Sequence, residues 1–215
     1  MDKYPKIQTV FLRDPATRYK TLLMGQYSLP EFEYLANNDW MWTEKVDGTN
    51  IRVAWDGEHV IFNGRTDNAQ MPAFLLTKLQ EMFPVELFAL EYPDVPMTLY
   101  GEGYGAKIQK GGGLYIPDGQ SFILFDVMIS DNWQPRESVE DIATHLRIYV
   151  VPIIGVGMLQ DAIDLVRCGL HSRVVAKTAP EGRNAEGLVM RPKVELQTRT
   201  GHRIITKIKN KDFAD

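Results

Sequence analysis

The sequence predicts an α+β fold in which antiparallel sheets are flanked by helices, as a single domain over residues 1–215. Three observations carry this. Strand-prone runs outnumber helical ones and mostly follow one another directly, whereas a parallel sheet needs strand and helix in alternation. Asp56-Gly57 sits between two such runs, and that dipeptide is a strong hairpin signal. The chain has 215 residues, 44% of them hydrophobic, enough to bury one substantial core.

Taken in order, residues 7–12 alternate well enough for a first strand. Asp14-Pro15 and then Gly25 break the region after it. Residues 30–35 read as a short helix with Ser28 in position to cap it. Strands over 40–45, 50–55 and 59–63 follow. Residues 72–83 place Phe74, Leu75, Leu79 and Met82 at helical spacing. Residues 97–100 form a strand that runs into the glycine-rich 101–105, and Gly111 to Gly113 read as a loop. A long apolar strand over 121–129 carries Asp126. Residues 135–146 are helical, with proline and acids near the start. A strand over 148–154, a helix over 159–170, a polar loop over 177–184 and strands over 187–191 and 203–209 complete the chain.

Net charge is −4, so contact with nucleic acid would need a local basic patch. Residues 191–211 supply one: seven cations against the single acid Glu195. A solvated basic hairpin fits the same charges. Lys107 and Lys110, beside the glycine loop, are further RNA-contact candidates, and a solvated loop fits them equally. The lone Cys168 excludes an internal disulfide and fits a reducing cytoplasm; its place in a helical run predicts a core thiol. The first six residues lack the apolar core of a signal peptide, and no apolar run approaches membrane-spanning length.

The stretch Glu44-Lys45-Val46-Asp47-Gly48-Thr49-Asn50 joins two strand-prone runs. Asp and Gly favour a tight turn there, which would hold Lys45 fixed in space. A fixed lysine becomes a nucleophile where burial or nearby cations favour its neutral form. A hairpin turn with a solvated lysine fits the stretch too. Arg65, Glu102, Asp126, Glu186, Lys207 and Lys209 likewise sit in or at the ends of strands that otherwise read as core. Each has a plain alternative: a loop carboxylate for Glu102, a turn cap for Asp126, a solvated sheet face for Lys207 and Lys209. Together they read as one pocket.

In their order along the chain these residues resemble the covalent nucleotidyltransferases: DNA ligases, RNA ligases and mRNA capping enzymes. Lys45-Val46-Asp47-Gly48 resembles motif I and Gly101-Glu102-Gly103 motif III. Phe122-Ile123-Leu124-Phe125-Asp126 resembles motif IIIa, Glu186-Gly187-Leu188-Val189-Met190 motif IV, and Lys207-Ile208-Lys209 motif V. The continuation Gly48-Thr49-Asn50, the lone Arg65 and Lys209-Asn210-Lys211-Asp212-Phe213 resemble RNA ligases of the phage RNA ligase 2 type.

The resemblance implies the ATP-grasp-like nucleotidyltransferase domain of ligases. The sequence ends just after motif V, so no C-terminal appended domain is expected. It further implies that Lys45 attacks the α-phosphate of ATP to form lysyl-AMP, that the AMP passes to an RNA 5′-phosphate, and that a 3′-hydroxyl displaces it. Lys207 and Lys209 would assist catalysis. Glu186 would hold Mg²⁺ or Mn²⁺. Glu102 would bind the ribose hydroxyls, Phe125 would stack on adenine and Asp126 would support that site. Asn50 and Arg65 would lie near the phosphates, and Glu44 and Val46 would flank the nucleotide. Expected partners are RNA strand ends, nicked duplex included, with no membrane. Competing expectations are a minimal DNA ligase, a capping guanylyltransferase that takes GTP, and a nucleotide- or RNA-binding module without sealing activity.

Overall fold

The computed structural model describes residues 3–175 and 184–213. In chain order its elements are β1 (Gln8–Thr9), β2 (Phe11–Arg13), β3 (Leu22–Tyr27), α1 (Pro30–Tyr34), β4 (Trp40–Lys45), β5 (Thr49–Trp55) and β6 (Val60–Gly64). Then come α2 (Ala73–Met82), α3 (Val85–Glu91), β7 (Met97–Gly105), β8 (Gln120–Ile129), β9 (Asn132–Trp133) and α4 (Arg136–His145). The rest are β10 (Tyr149–Val150), β11 (Ile153–Gly157), α5 (Leu159–Arg167), β12 (Gly187–Pro192) and β13 (Thr206–Lys209). The α+β expectation holds, with mixed sheets: most pairs are antiparallel, while β1 runs parallel to β13 and β10 parallel to β8.

The elements pack as two units. The first comprises residues 3–5, 47–151 and 175, and its sheet has the order β10-β8-β7-β5-β6, with β9 against β8. Ile51, Val53, Trp55, Leu99, Phe122 and Leu124 alternate onto one face of that sheet and form a core with Leu75 and Leu79 of α2, Phe88 of α3 and Val139 of α4. The second comprises residues 6–46, 152–174 and 184–213, with a sheet in the order β1-β13-β12-β4-β11. Its core joins Trp40, Trp42, Leu188, Met190 and Ile208 to Leu159, Ala162, Ile163 and Val166 of α5. The spacing i, i+3, i+4, i+7 places those four residues on one stripe of the helix. Full burial of each large apolar side chain there contributes ~1.5–3 kcal/mol.

Several expectations are corrected. The single strand over 7–12 is two strands, β1 and β2, and the one over 148–154 is β10 in one unit and β11 in the other, parted at Val151 and Pro152. Proline has no N–H for a continuous ladder. The strand expected over 97–100 continues to Gly105, because glycines there make room for neighbours. A Cβ on Gly101 would lie 2.1 Å from Phe122 Cζ, and one on Gly103 would lie 2.9 Å from Leu75 Cδ2. Gly25 lies inside β3 and Gly112 opens a 3₁₀ turn. Ser28 does not cap α1; its hydroxyl donates to the Thr9 carbonyl. Helix α5 stops at Arg167, ahead of Gly169 at φ +94°, and Cys168 is exposed rather than core. Cys168 is two residues beyond Val166, which turns it away from the buried stripe. Residues 177–183 of the expected polar loop lie outside the described residues. Among the described residues no helix is long and apolar enough to cross a membrane.

Candidate active site

In the second unit, β4, β12 and β13 lie side by side. Their register sets Lys45 opposite Gly187 and Gly187 opposite Lys209. Strands are spaced ~4.8 Å, so the two lysines are anchored ~10 Å apart on the same sheet face. Trp42, Leu188 and Ile208 alternate onto the other face, into the core. The middle position must be glycine: a Cβ on Gly187 would lie 2.0 Å from the Ile208 carbonyl oxygen. With no side chain between them, the lysines lean inward and meet on Glu186. Lys45 Nζ donates to Glu186 Oε2 at 2.6 Å, and Lys209 Nζ donates to Oε1. The Glu186 carbonyl accepts from Asn210 N–H at 3.0 Å, which fixes the residue just before β12.

The three side chains are 20%, 17% and 18% exposed for Lys45, Glu186 and Lys209, so the cluster is desolvated yet reachable. Burial alone pushes the Glu186 carboxyl up; the Lys45 charge and hydrogen bonds from Lys209 and Lys45 outweigh it, and the pKa ends below the usual carboxylate value. Lys207, two residues before Lys209, projects from the same face and is half-buried.

Glu44 faces the other way. It is 1% exposed, accepting from the Ser172 hydroxyl and from Arg173 N–H at 2.7 Å. Burial raises its pKa above the usual value against the pull of those bonds. The carboxylate therefore ties residues 172 and 173 to β4. Val46, the last residue of this segment in the second unit, is 3% exposed. Further along, Arg203 makes a two-bonded fork with Glu195 at 2.6 and 3.0 Å, and Arg191 stands 4.0 Å from the same carboxylate. Part of the basic charge expected over 191–211 is therefore engaged internally, while Lys193, Arg199 and Lys211 are exposed.

In the first unit, the face of the sheet opposite its helices carries two rows of polar side chains. Asn50 pairs with Glu102, which pairs with Ile123; one step along, Arg52 pairs with Tyr100, which pairs with Asp126. Register shifts between these rows because Phe125 is an extra residue, a bulge in β8. The bulge places Phe125 and Asp126 together against Tyr4: the rings of Phe125 and Tyr4 are 4.9 Å apart, edge on, and Tyr4 donates its hydroxyl to the buried Asp126 carboxylate at 2.5 Å. Gly48 comes so close to β7 that a Cβ would lie 2.3 Å from the Gly103 carbonyl oxygen and 2.8 Å from Glu102 Cγ. That contact closes the turn after Asp47 onto Glu102. Asn50 Oδ1 is buried with no hydrogen-bond partner among the described residues, an acceptor that a bound donor would satisfy.

Arg65 is exposed in the bend after β6. Arg52, which sequence reasoning passed over, is fully buried; it donates to the Gly64 carbonyl at 2.8 Å and pairs with Asp67 at 2.7 Å. The alternation of β5 could have flagged it, since Arg52 falls on the Asn50 side, between Ile51 and Val53. Nothing in the sequence ties Tyr4 to Asp126, which is 122 positions away.

A family model for RNA ligase matches residues 38–209. No curated protein matches. Solved structures of an RNA ligase from Naegleria gruberi are similar. A glutamate-to-alanine mutant with ATP and Mn gives a TM-score of 0.68 at 19% identity, covering 97% of this chain and 56% of that one. The form with PPi gives 0.64 at 18%, covering 97% and 58%. A lysine-to-methionine mutant with AMP and Mn gives 0.64 at 18%, covering 97% and 58%. The chain thus spans a little over half the length of these proteins.

Proposed function

This chain belongs to the RNA ligase family, and from that premise we propose that residues 1–215 work as one nucleotidyltransferase domain of an ATP-dependent RNA ligase. The observation that carries the reading is the convergence of Lys45 and Lys209 on the single carboxylate of Glu186, across a glycine that no other residue can replace without a clash.

Lys45 is the nucleophile. Its Nζ forms a bond to the α-phosphorus of ATP as the bond from that phosphorus to the bridging oxygen breaks and pyrophosphate leaves. An ammonium has no lone pair, so Nζ must give a proton to solvent water, which reaches the one-fifth-exposed side chain, and leave its ion pair before it attacks. Glu186, held ionised by two lysines, is a poor base; it holds Nζ in place until its own charge is engaged elsewhere. Lys209 and Lys207 offset the negative charge that builds on the leaving group.

The residues fit Mg²⁺ or Mn²⁺ bound through the substrate rather than in a cage. Among the described residues no three His, Cys, Asp or Glu gather, and such ions commonly rest on one or two carboxylates plus water and phosphate oxygens. Glu186 would hold the ion, which would neutralise phosphate charge. For the nucleotide, Glu102 is assigned to the ribose hydroxyls, Phe125 to adenine with Asp126 in support, and Asn50 and Arg65 to the phosphates; Glu44 and Val46, both buried, flank it as the chain neighbours of Lys45 and not by side-chain contact. The ATP, AMP, PPi and Mn in the similar Naegleria structures support this chemistry. The substrates are RNA ends, a 3′-hydroxyl and a 5′-phosphate, and the lone cysteine supports a cytoplasmic setting.

Incubation with α-labelled ATP or GTP, followed by a denaturing gel, tests the reading. ATP label stays on the protein, GTP label does not, and Lys45→Ala loses the band while its circular dichroism is unchanged. Label that persists in Lys45→Ala overturns the assignment, and joining of nicked DNA with RNA ends untouched replaces it with the DNA ligase reading.

A further inference from the structure

The second unit holds a half-open pocket of about 640 Å³ that no step above uses in full. Lys6, Arg13 and Lys20 line it from the N-terminal segment, and Lys207, Lys209 and Lys211 from the region of β13. Against these six cations stands one carboxylate, Asp212, in a chain whose net charge is −4. The parallel pairing of β1 with β13 creates the pocket, by laying Gln8 beside Thr206 and Thr9 beside Lys207.

Five of the six cations fall into two sets. Lys209 is held by Glu186, and Arg13 by Asp212 at 2.6 Å. Lys6, Lys20 and Lys211 are exposed and form no ion pair among the described residues. Three free ammonium groups are thus turned toward solvent around a common hollow.

An aromatic ring accompanies them. Tyr19 lines the same pocket and is 63% exposed. Arg18 and Tyr19 both lie in the left-handed region, at φ +55° and +61°, which non-glycine residues adopt only where their surroundings impose it. Here Arg13 does so: its Nη1 donates to the Tyr19 and Lys20 carbonyls at 3.3 and 3.1 Å while Nη2 grips Asp212. Tyr19 N–H closes the loop on the Asp14 carbonyl at 2.9 Å. The loop is braced from within, and the brace displays one ring and one lysine at the rim.

Cations that take phosphates, interleaved with an exposed ring that can take a base, are how single-stranded nucleic acid is gripped without sequence preference. We propose that this pocket binds single-stranded RNA, with backbone phosphates on Lys6, Lys20 and Lys211 and one base stacked on Tyr19. A bare polyphosphate would use the lysines but leave the ring without a role. The proposal rests on the RNA ligase reading for its substrate class and adds to it a site on Lys6, Lys20, Lys211 and Tyr19, residues the ATP chemistry does not use.

The test measures fluorescence anisotropy of a labelled single-stranded RNA carrying a 5′-phosphate, titrated with the full chain, and ATP labelling of the same preparations. Replacing Lys6, Lys20 and Lys211 together by alanine is expected to weaken RNA binding about 100-fold at ~0.1 M salt and to lower the salt slope by about 2, at ~0.7 per lost phosphate contact. Tyr19→Ala is expected to weaken binding about tenfold and leave the salt slope alone. ATP labelling stays at the parent level in both, which also shows that the variants fold. Unchanged RNA affinity in the triple variant overturns the proposal, as does a Tyr19→Ala variant that binds like the parent. Displacement of RNA by inorganic pyrophosphate, together with lost ATP labelling in the triple variant, reassigns the pocket to the leaving group. Failure of ATP labelling in the parent itself would instead strike at the ligase reading.

Discussion

Glu195 and Glu186 are each gripped by two cations, nine positions apart in the chain and in the same unit, and the grips differ. Glu195 meets the planar fork of Arg203, which is 2% exposed and bonds both carboxylate oxygens. Glu186 meets two lysines, one per oxygen, each about one-fifth exposed. A guanidinium fork is rigid and permanently charged; an ammonium is a point charge on a flexible stem that can let go and can lose its proton. The arginine pair is therefore a structural clasp on the Gln197–Arg203 bridge, and the lysine pair is a set of parts that chemistry can move. Charge alone does not separate the two. Burial and side-chain geometry do.

The comparison makes opposite demands on two substitutions. Glu186→Gln should cut ATP labelling about 100-fold, the order seen when one charge-stabilising group leaves an active site, yet change unfolding free energy by no more than ~1 kcal/mol, since both lysines can reach water. The variant also reads the pH dependence. Because the folded-state pKa of Glu186 lies below the ordinary ~4.3, its contribution to stability is present above that value and is lost as pH falls through the folded pKa. Denaturant titrations of parent and variant should converge in that acid range. A variant that labels normally would break the contrast at its functional end.

Glu195→Ala should show the reverse pattern. It leaves the Arg203 charge buried without its fork partner, and urea unfolding should report a loss of ~2 kcal/mol, discounted from the ~3–5 of a fully buried pair because Glu195 is partly exposed. Labelling by ATP should match the parent once the temperature is well below unfolding. The smallest effect sharpens the role of geometry: Arg203→Lys keeps the charge and loses one of two hydrogen bonds, for ~1 kcal/mol in the same assay. If Arg203→Lys costs as much as Glu195→Ala, charge outweighs the fork and the distinction between the two clusters fails.

Much of this was legible in the residues. β4 and β5 follow from dense strand-prone runs, α5 from its apolar spacing, and the hairpin after β5 from Asp56-Gly57, whose Asp56 carboxylate accepts from Glu58 and His59 N–H as such turns require. The end of β7 was not legible: glycine usually marks a strand's limit in a single sequence, whereas Gly101 and Gly103 carry the strand on by making room for Phe122 and Leu75. Arg65 stands out by its place after the hairpin strand and the family resemblance, whereas Arg52, an arginine between apolar residues, reads as an outward-facing strand position until Asp67 and the Gly64 carbonyl are seen around it.

The sequence by itself determined the α+β class, the family motifs and the identity of Lys45, Glu186 and Lys209 as partners worth joining, because local propensity and motif chemistry are written in neighbouring residues. The tertiary structure alone decided which face each residue uses and what it meets there. Strand register put Lys45, Gly187 and Lys209 in one line, and a bulge at Phe125 turned Asp126 onto Tyr4. Parallel pairing of β1 with β13 brought Lys6, Arg13 and Lys20 beside Lys207 and Lys211, across nearly the whole length of the chain. Pairings at that separation depend on which apolar faces bury together, and no local pattern encodes that choice.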